Sequence, residues 1–530
     1  MAPVRRSFLK LAAGAATVGA LPFTVLRTRS AAASSPWGPL VPDPNGVIDL
    51  PDGFCYRILE RAGEPMDDGY VVPGRPDGMG CFVLRNGDLA LMRNHELSPG
   101  SWSLGPYPAE DEPLEVYDAG SVGGVSRLVV DPVSFSRVSS NLVLAGTNRN
   151  CAGGWSPWGW LSCEENLSVG HGYVFVCDAE AESLQKPNRK RVYGRFNHEA
   201  AVVHPDTLVC YLTEDSTVSS FYRFVPDDLE DPFSGTLQAL RVIESSVFQT
   251  SEMEVGDRVD IDWVDIDYPD AGGGVHIEAQ NKGAAVFRRG EGLAIFRNDV
   301  WICATSGGPV GRGQIFQLRD DGGERGQLKL VAHSDDPAVL DMPDNICISP
   351  TGTVFMAEDG SPDQFIRFID GEGQVRDFAR NAISSSEFAG ACFSPDGDAL
   401  FVNIQGDGLT LVITGPFDEP GRALDCGADG NESDGGGTES GEGSDGGTAG
   451  WGTTSGGPTT ASGGFDGGVG DDAGFGGALD AGEPVLSSSC ACSEGASTPD
   501  AVATLAVAAA VVVCRSAGER SRTDPDDDAR

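Results

Sequence analysis

Between Ser34 and Pro416 the apolar residues fall in short runs of strand length, separated by Gly, Pro, Asp and Asn. Long helical periodicity is hard to find there, so the pattern predicts strands joined by turns. One local pattern recurs: Val130-Asp131-Pro132, Val203-His204-Pro205, Ile348-Ser349-Pro350 and Phe393-Ser394-Pro395 each follow one strand-like run and lead into another. Thr351-Gly352 and Asp396-Gly397 add turn signals after the last two. The runs after the turns, Leu208 to Leu212, Val354 to Ala357 and Ala399 to Val402, read as strands, and Trp158 to Leu161 reads as a short buried strand. Pro350 and Pro395 stand 45 residues apart, about the length of one β-propeller blade. The expected class is therefore all-β, a propeller of five to seven blades, with a pair of β-sandwiches as the structural alternative.

Composition supports this and adds chemistry. With 72 Gly and 33 Pro in 530 residues the chain is rich in turns. The formal net charge is −42, and residues 34–416 alone hold 58 acids against 27 bases. Such a surface repels nucleic acid and anionic membranes, and an anionic substrate would need bound cations to reverse the local potential. Thirteen cysteines are scattered and odd in number, which does not make a compact disulfide framework. Cys81, Cys177, Cys210, Cys303, Cys347 and Cys392 lie in or beside apolar runs, which makes most of them expected buried thiols and leaves some disulfides open.

The ends read differently from the body. Arg5-Arg6-Ser7-Phe8-Leu9-Lys10, an apolar segment from Leu11 to Leu26 and Ala31-Ala32-Ala33 resemble a twin-arginine signal peptide over residues 1–33. That resemblance implies export in the folded state through the twin-arginine machinery, to the periplasm, cell surface or exterior. Residues 417–489 are dominated by Gly, Ser, Thr, Asp and Ala and read as a self-repelling linker. Residues 490–530 carry Cys490-Ala491-Cys492, an apolar run from Ala501 to Cys514, and then Arg515, Arg520 and Arg522. This order resembles the C-terminal sorting tails of myxobacterial surface proteins and implies anchoring, although the run is shorter than the ~20 residues that span a bilayer.

The densest chemistry lies in Gly146 to Asn166, GTNRNCAGGWSPWGWLSCEEN. Cys151 stands among polar residues, Gly153-Gly154 free the backbone for close approach to an ion or substrate, and Glu164-Glu165 supply paired carboxylates. Further polar clusters end strand-like runs: Asn94-His95-Glu96, Asn197-His198-Glu199, Glu214-Asp215, Arg289-Gly290-Glu291, Asp344-Asn345 and Glu358-Asp359-Gly360. Loops of successive blades converge at one end of a propeller channel, so these clusters are expected to share a site. Their oxygen donors suit calcium, and a lone Cys among carboxylates suits a transition metal. Neither HExxH nor GxSxG occurs, which places metal-assisted hydrolysis above a serine nucleophile.

The segments TNRNCAGGWSPWGWLSCEE, GRFNHEAA, YLTED, FYRFVP, RRGEG, DNICISPTG and AEDG resemble the PhoX-type alkaline phosphatases, over about Val47 to Ile413. The resemblance implies a six-bladed propeller with iron and calcium at the channel mouth. It also implies cleavage of phosphate monoesters by metal-activated oxide or hydroxide attack, in a monomer. It makes Cys151 a thiolate ligand of iron, Glu291 a carboxylate ligand beside it, and Arg289 the phosphate-binding arginine, with Arg289 and Glu291 as the catalytic pair. Glu165, Glu199, Asp344 and Glu358 follow as further metal ligands. Trp160 and Ser162 depart from the family's pattern, and the body is shorter than that of longer members. The alternatives are a catalytically silent, calcium-stabilised display propeller, and another propeller hydrolase such as a lactonase or phosphodiesterase.

Overall fold

A computed structural model describes residues 35–243 and 245–418. The expected signal segment (1–33), the linker beyond residue 418 and the tail (490–530) lie outside the described residues.

The fold is all-β and propeller-like, with one α-helix, Val275–Asn281, among the described residues. Its repeating unit is a four-stranded antiparallel meander. One such sheet runs Pro76–Val83, Leu89–His95, Gly123–Val130 and Arg137–Thr147, and the next runs Asn150–Ser156, Gly159–Glu164, Val174–Cys177 and Arg189–Lys190. A nine-stranded sheet contains two further meanders, beginning at His198–Val203 and at Gly290–Phe296. They are bridged by Arg258–Asp265, which pairs with Asp231–Val242 on one edge and Arg325–His333 on the other. Pro343–Ile348 opens a fifth meander, extended at its outer edge by Ile48–Pro51 and Leu40–Val41. The last consists of Phe388–Phe393, Ala399–Ile404 and Leu409–Thr414, and its fourth strand is Cys55–Arg61 from the start of the chain. This pairing of an early strand with the last described one covers an edge that would otherwise be open.

The first strands of the meanders pack on one another in a ring: Pro76–Val83 against Asn150–Ser156, then His198–Val203, Gly290–Phe296, Pro343–Ile348 and Phe388–Phe393, and back to Pro76–Val83. Apolar clusters fill the spaces between successive sheets. A cavity of about 740 Å³ runs along the ring's axis, lined by residues such as Met79, Trp160, Val202, Leu293, Ile346 and Phe393.

Several local expectations change in detail. Val203-His204-Pro205, Ile348-Ser349-Pro350 and Phe393-Ser394-Pro395 do occupy one place, the hairpin from first to second strand. Val130-Asp131-Pro132 instead joins a third strand to a fourth, because its proline serves another turn of the same chemistry. Gly153 and Gly154 do not open the backbone to a ligand. A Cβ on Gly153 would stand 1.9 Å from the Leu161 carbonyl oxygen, and one on Gly154 2.1 Å from that of Ala201, so both glycines admit a neighbouring strand. Cys177, Cys210, Cys303 and Cys347 are buried free thiols, and Cys81 and Cys392 are half-buried free thiols.

Candidate metal and phosphate site

Every first strand has the same irregularity near its start. The register with the second strand shifts after Pro76, Asn150, His198, Gly290, Pro343 and Ala389, in each case within the first turn of pairing. Such bulges re-aim side chains at the rim of a closed sheet structure. The residues at the shift are Asp77, Cys151, Glu199, Glu291, Asp344 and Ala389, which we call the donor positions. Two residues earlier stand the entry positions, Arg75, Arg149, Asn197, Arg289, Met342 and Glu387. The residue leaving each second strand is the exit position: Glu96, Glu165, Asp215, Thr305, Asp359 and Gln405.

One backbone hydrogen bond proves the equivalence. The exit N–H donates to the entry carbonyl in every meander: Glu96 to Arg75 at 3.0 Å, Glu165 to Arg149 at 2.9 Å, Asp215 to Asn197 at 3.1 Å, Thr305 to Arg289 at 2.9 Å, Asp359 to Met342 at 2.9 Å and Gln405 to Glu387 at 3.2 Å. Side chains of the second strands then hold the bulged backbone of the neighbouring first strand. Asn94 Nδ2 donates to the Cys151 and Ala152 carbonyls at 2.9 and 2.6 Å, Thr213 Oγ1 to the Glu291 carbonyl at 2.6 Å, and Asn403 Nδ2 to the Asp77 carbonyl at 2.7 Å.

The site gathers most of the residues singled out in the sequence. Glu199, Glu291 and Asp344 bring one carboxylate oxygen each within 4.8 Å of the others. Cys151 is buried beside this triad, its Sγ donating to the His198 carbonyl at 3.3 Å. Burial pushes its thiol well above the ordinary range, and Glu199, Glu165 and Asp77 push the same way. Arg289 donates from Nε and Nη2 to the two Asp215 oxygens at 2.9 Å each, and from Nη2 to Glu291 Oε1 at 2.8 Å. Among the described residues, its Nη1 has no protein acceptor. Arg149 joins Glu96 (2.8 Å) and Glu165 (2.5 Å) through Nη2.

Glu358, expected as a metal ligand, is the exception. Its Oε1 accepts from the Asp341 N–H at 2.7 Å and pairs with Arg367 Nε at 3.0 Å, inside its own sheet. Its neighbour Asp359 occupies the mouth instead. The reason is strand alternation, which sends adjacent residues to opposite sides. Glu164 is buried on Asn148, His171 and Gly172 while Glu165 reaches the mouth. Glu214 accepts from Tyr222 and meets His276 while Asp215 reaches Arg289. The two Asn-His-Glu tripeptides follow the same logic on non-equivalent strands, one ending a second strand and one beginning a first strand. Their histidines are buried structural groups, and burial lowers the imidazole to about 3 in both His95 and His198.

Asp77, Glu387, Gln405 and the anchoring role of Arg149 escape sequence reasoning. Ser384-Ser385-Ser386-Glu387 resembles an ordinary polar turn, and Arg75-Pro76-Asp77-Gly78 an ordinary loop. The signal that finds Asp77 is a donor followed by a small residue, as in Asp77-Gly78, Cys151-Ala152, Glu199-Ala200 and Glu291-Gly292. The small residue is needed because first strands meet there. A Cβ on Gly78 would lie 2.5 Å from Ala152 Cα, and one on Gly292 2.6 Å from the Asp344 carbonyl oxygen.

The mouth is thus crowded with acid groups. Burial foremost, then mutual repulsion, raises Asp77, Glu199, Glu291 and Glu387 well above the carboxylate range. Glu165 and Asp344 are pushed up to about 7, chiefly by burial. Such a group of carboxyls must bind protons or cations to be stable.

The family described as alkaline phosphatase PhoX matches residues 35–142 and 133–408. No curated protein matches the chain. Among solved structures, Pseudomonas fluorescens PhoX in complex with vanadate, a transition state analogue, is 19% identical, covering 70% of this chain and 96% of that one at a TM-score of 0.57. A gluconolactonase of Xanthomonas campestris is 14% identical over 72% of this chain and 98% of its own, at a TM-score of 0.36. A periplasmic gluconolactonase of Pseudomonas aeruginosa is 14% identical over 70% and 95%, at a TM-score of 0.37. With a family match that runs from residue 35 to residue 408, well over half of the chain, the chain belongs to the alkaline phosphatase PhoX family.

Proposed function

We propose that this protein is an exported, metal-dependent phosphatase that hydrolyses phosphate monoesters at the donor-lined end of a six-bladed propeller. The observation that carries the reading is the meeting of Glu199, Glu291 and Asp344 within 4.8 Å, beside a guanidinium whose Nη1 has no acceptor among the described residues. Family membership supports phosphatase chemistry, and the sixfold exit-to-entry hydrogen bond supports the blade count.

The residues fit the metals expected. Buried carboxylates with few cationic partners form an oxygen-rich cradle suited to calcium. Cys151 adds a softer donor, which suits iron. Glu199, Glu291 and Asp344 would hold the central cation, with Cys151, Glu165 and Asp77 at its side. Bound there, such cations supply Lewis-acid polarisation of a phosphoryl group.

The remaining work falls to the chain itself. Arg289 presents its open edge to a phosphate, and a guanidinium can hold two phosphate oxygens at once. Asp215 and Glu291 fix the plane of that guanidinium. Arg149 holds Glu96 and Glu165 in place at the exit of two adjacent sheets. The bulges and the small residues behind them keep the donors within reach of one another.

Export rests on the twin-arginine-like start, and surface anchoring on the C-terminal tail. We read the protein as a monomer. Among the described residues no helix is long and apolar enough to cross a membrane. Elemental analysis of the purified protein, paired with phosphate release from a chromogenic monoester, tests the reading. Iron and calcium together with hydrolysis are expected. Calcium alone with no hydrolysis would leave a display propeller.

A further inference from the structure

The six entry positions are equivalent in backbone but not in chemistry. Arg75, Arg149 and Arg289 occupy three of them, each in the left-handed region with φ of 47°, 50° and 52°. A residue with a Cβ is uncommon there, so the backbone aims all three side chains in the same way relative to their sheets. Two of the three are neutralised. Arg289 is paired with Asp215 and Glu291, and Arg149 with Glu96 and Glu165.

Arg75 differs. It is exposed, and its Nη1 donates to a neutral acceptor, Gln405 Oε1, at 3.1 Å. Among the described residues no carboxylate pairs with it. The same amide reaches two acids: Gln405 Nε2 donates to Asp77 Oδ2 at 3.0 Å and to Glu96 Oε2 at 3.1 Å, and Glu96 also pairs with Arg149. Gln405 thereby orients Arg75 without cancelling its charge, and leaves Nε and Nη2 open. In a mouth lined by acid groups, this is a cation held in reserve.

Its position fits a substrate. Around the ring of first strands, Pro76–Val83 stands three strands from Gly290–Phe296 in either direction, which sets Arg75 across the mouth from Arg289. A monoester whose phosphate lies on Arg289 and whose leaving group points across the donor ring would bring that group to Arg75. An anionic leaving group would meet Asp77, Glu96 and Glu387 there, were it not for this guanidinium.

We propose that Arg75 is a specificity-determining residue that receives a second anionic group, a carboxylate or a further phosphate, on the leaving-group side of the ester. The inference rests on the phosphatase reading above. It predicts a preference for doubly anionic monoesters over otherwise similar ones.

The test compares 3-phosphoglycerate with glycerol 3-phosphate, which differ in a carboxylate against a hydroxymethyl group. The readout is the ratio of the two kcat/KM values in the metal-loaded full-length protein. Arg75→Gln is expected to lower that ratio by about 10-fold, the factor typical of one lost charge-assisted hydrogen bond, and mainly through KM for 3-phosphoglycerate. Arg75→Lys, which keeps the charge, is expected to retain most of the ratio. A ratio that moves less than about twofold in Arg75→Gln, or equally in both variants, overturns the proposal. A wild-type protein that hydrolyses neither ester overturns the phosphatase reading and this inference with it, whereas hydrolysis with an unchanged ratio overturns this inference alone.

Discussion

Glu165 and Arg149 are tied twice: the Glu165 N–H donates to the Arg149 carbonyl at 2.9 Å, and the Arg149 guanidinium returns to the Glu165 carboxylate at 2.5 Å. The backbone bond recurs in all six meanders, whereas the ion pair belongs to this one. Arg149 is therefore an internal counter-charge for Glu165 and for Glu96. Arg149→Ala should leave both acids dependent on metal for neutralisation. The melting temperature in excess calcium should change little, since bound cations then neutralise both acids, and the Arg149 side chain, 40% exposed, is screened by solvent. The drop in melting temperature on adding a chelator should be larger than in the wild type, and an unchanged drop would remove Arg149 from this role.

The acid groups set a pH dependence for the metal-free protein. Glu165 and Asp344, raised to about 7 in the folded state, bind protons more tightly there than in the unfolded chain, where carboxylates titrate near 4. Stability therefore falls as pH rises from about 4 to about 7. Thermal melts of chelated protein should show this decline, and added calcium should raise the melting temperature more at pH 8 than at pH 5. A calcium increment that does not vary with pH would argue that these carboxyls face no cation.

Glu358 and Asp359 offer a paired test of strand alternation. The Glu358–Arg367 pair is buried on both sides, with side chains 0% and 3% exposed. Breaking it by Glu358→Gln should lower stability by about 3 kcal/mol, measured by denaturant unfolding at pH 8, while metal content is retained. Asp359→Asn should do the opposite, sparing stability and lowering bound metal and activity. If both variants lose metal equally, Glu358 returns to the ligand set.

Cys151→Ser should remove bound iron, and with it any thiolate-to-metal absorption and phosphatase activity. Its far-UV circular dichroism should match the wild type, because the fold rests on inter-sheet apolar clusters and not on one thiol at the rim. Full activity in this variant would sink the iron-thiolate assignment.

Arg289→Ala should raise the inhibition constant for inorganic phosphate by about 10-fold or more without altering metal content, since its contacts orient Asp215 and Glu291 from outside the triad. Unchanged phosphate inhibition would argue against its substrate role.

The strands, the turns and the acidity of this protein are local properties, and the sequence by itself determined them. Short apolar runs between Gly, Pro and Asp specify strands because those residues constrain the backbone wherever they occur. Ser-Pro turns mark the inner hairpins for the same reason. The clusters that hold Cys151, Glu199, Arg289 and Glu291 were visible as well, because polar residues end strand-like runs there, but the role of each came only from the family resemblance. The tertiary structure alone decided which member of each acidic pair reaches the mouth. Glu164 and Glu165, Glu214 and Asp215, and Glu358 and Asp359 look alike in sequence. Their roles divide according to the side of the strand on which each lies, a distinction fixed only when register and bulge are set. Ring closure also decided the company of Arg75, Asp77, Glu387 and Gln405, because residues more than 300 positions apart come together only when the first and last sheets pair.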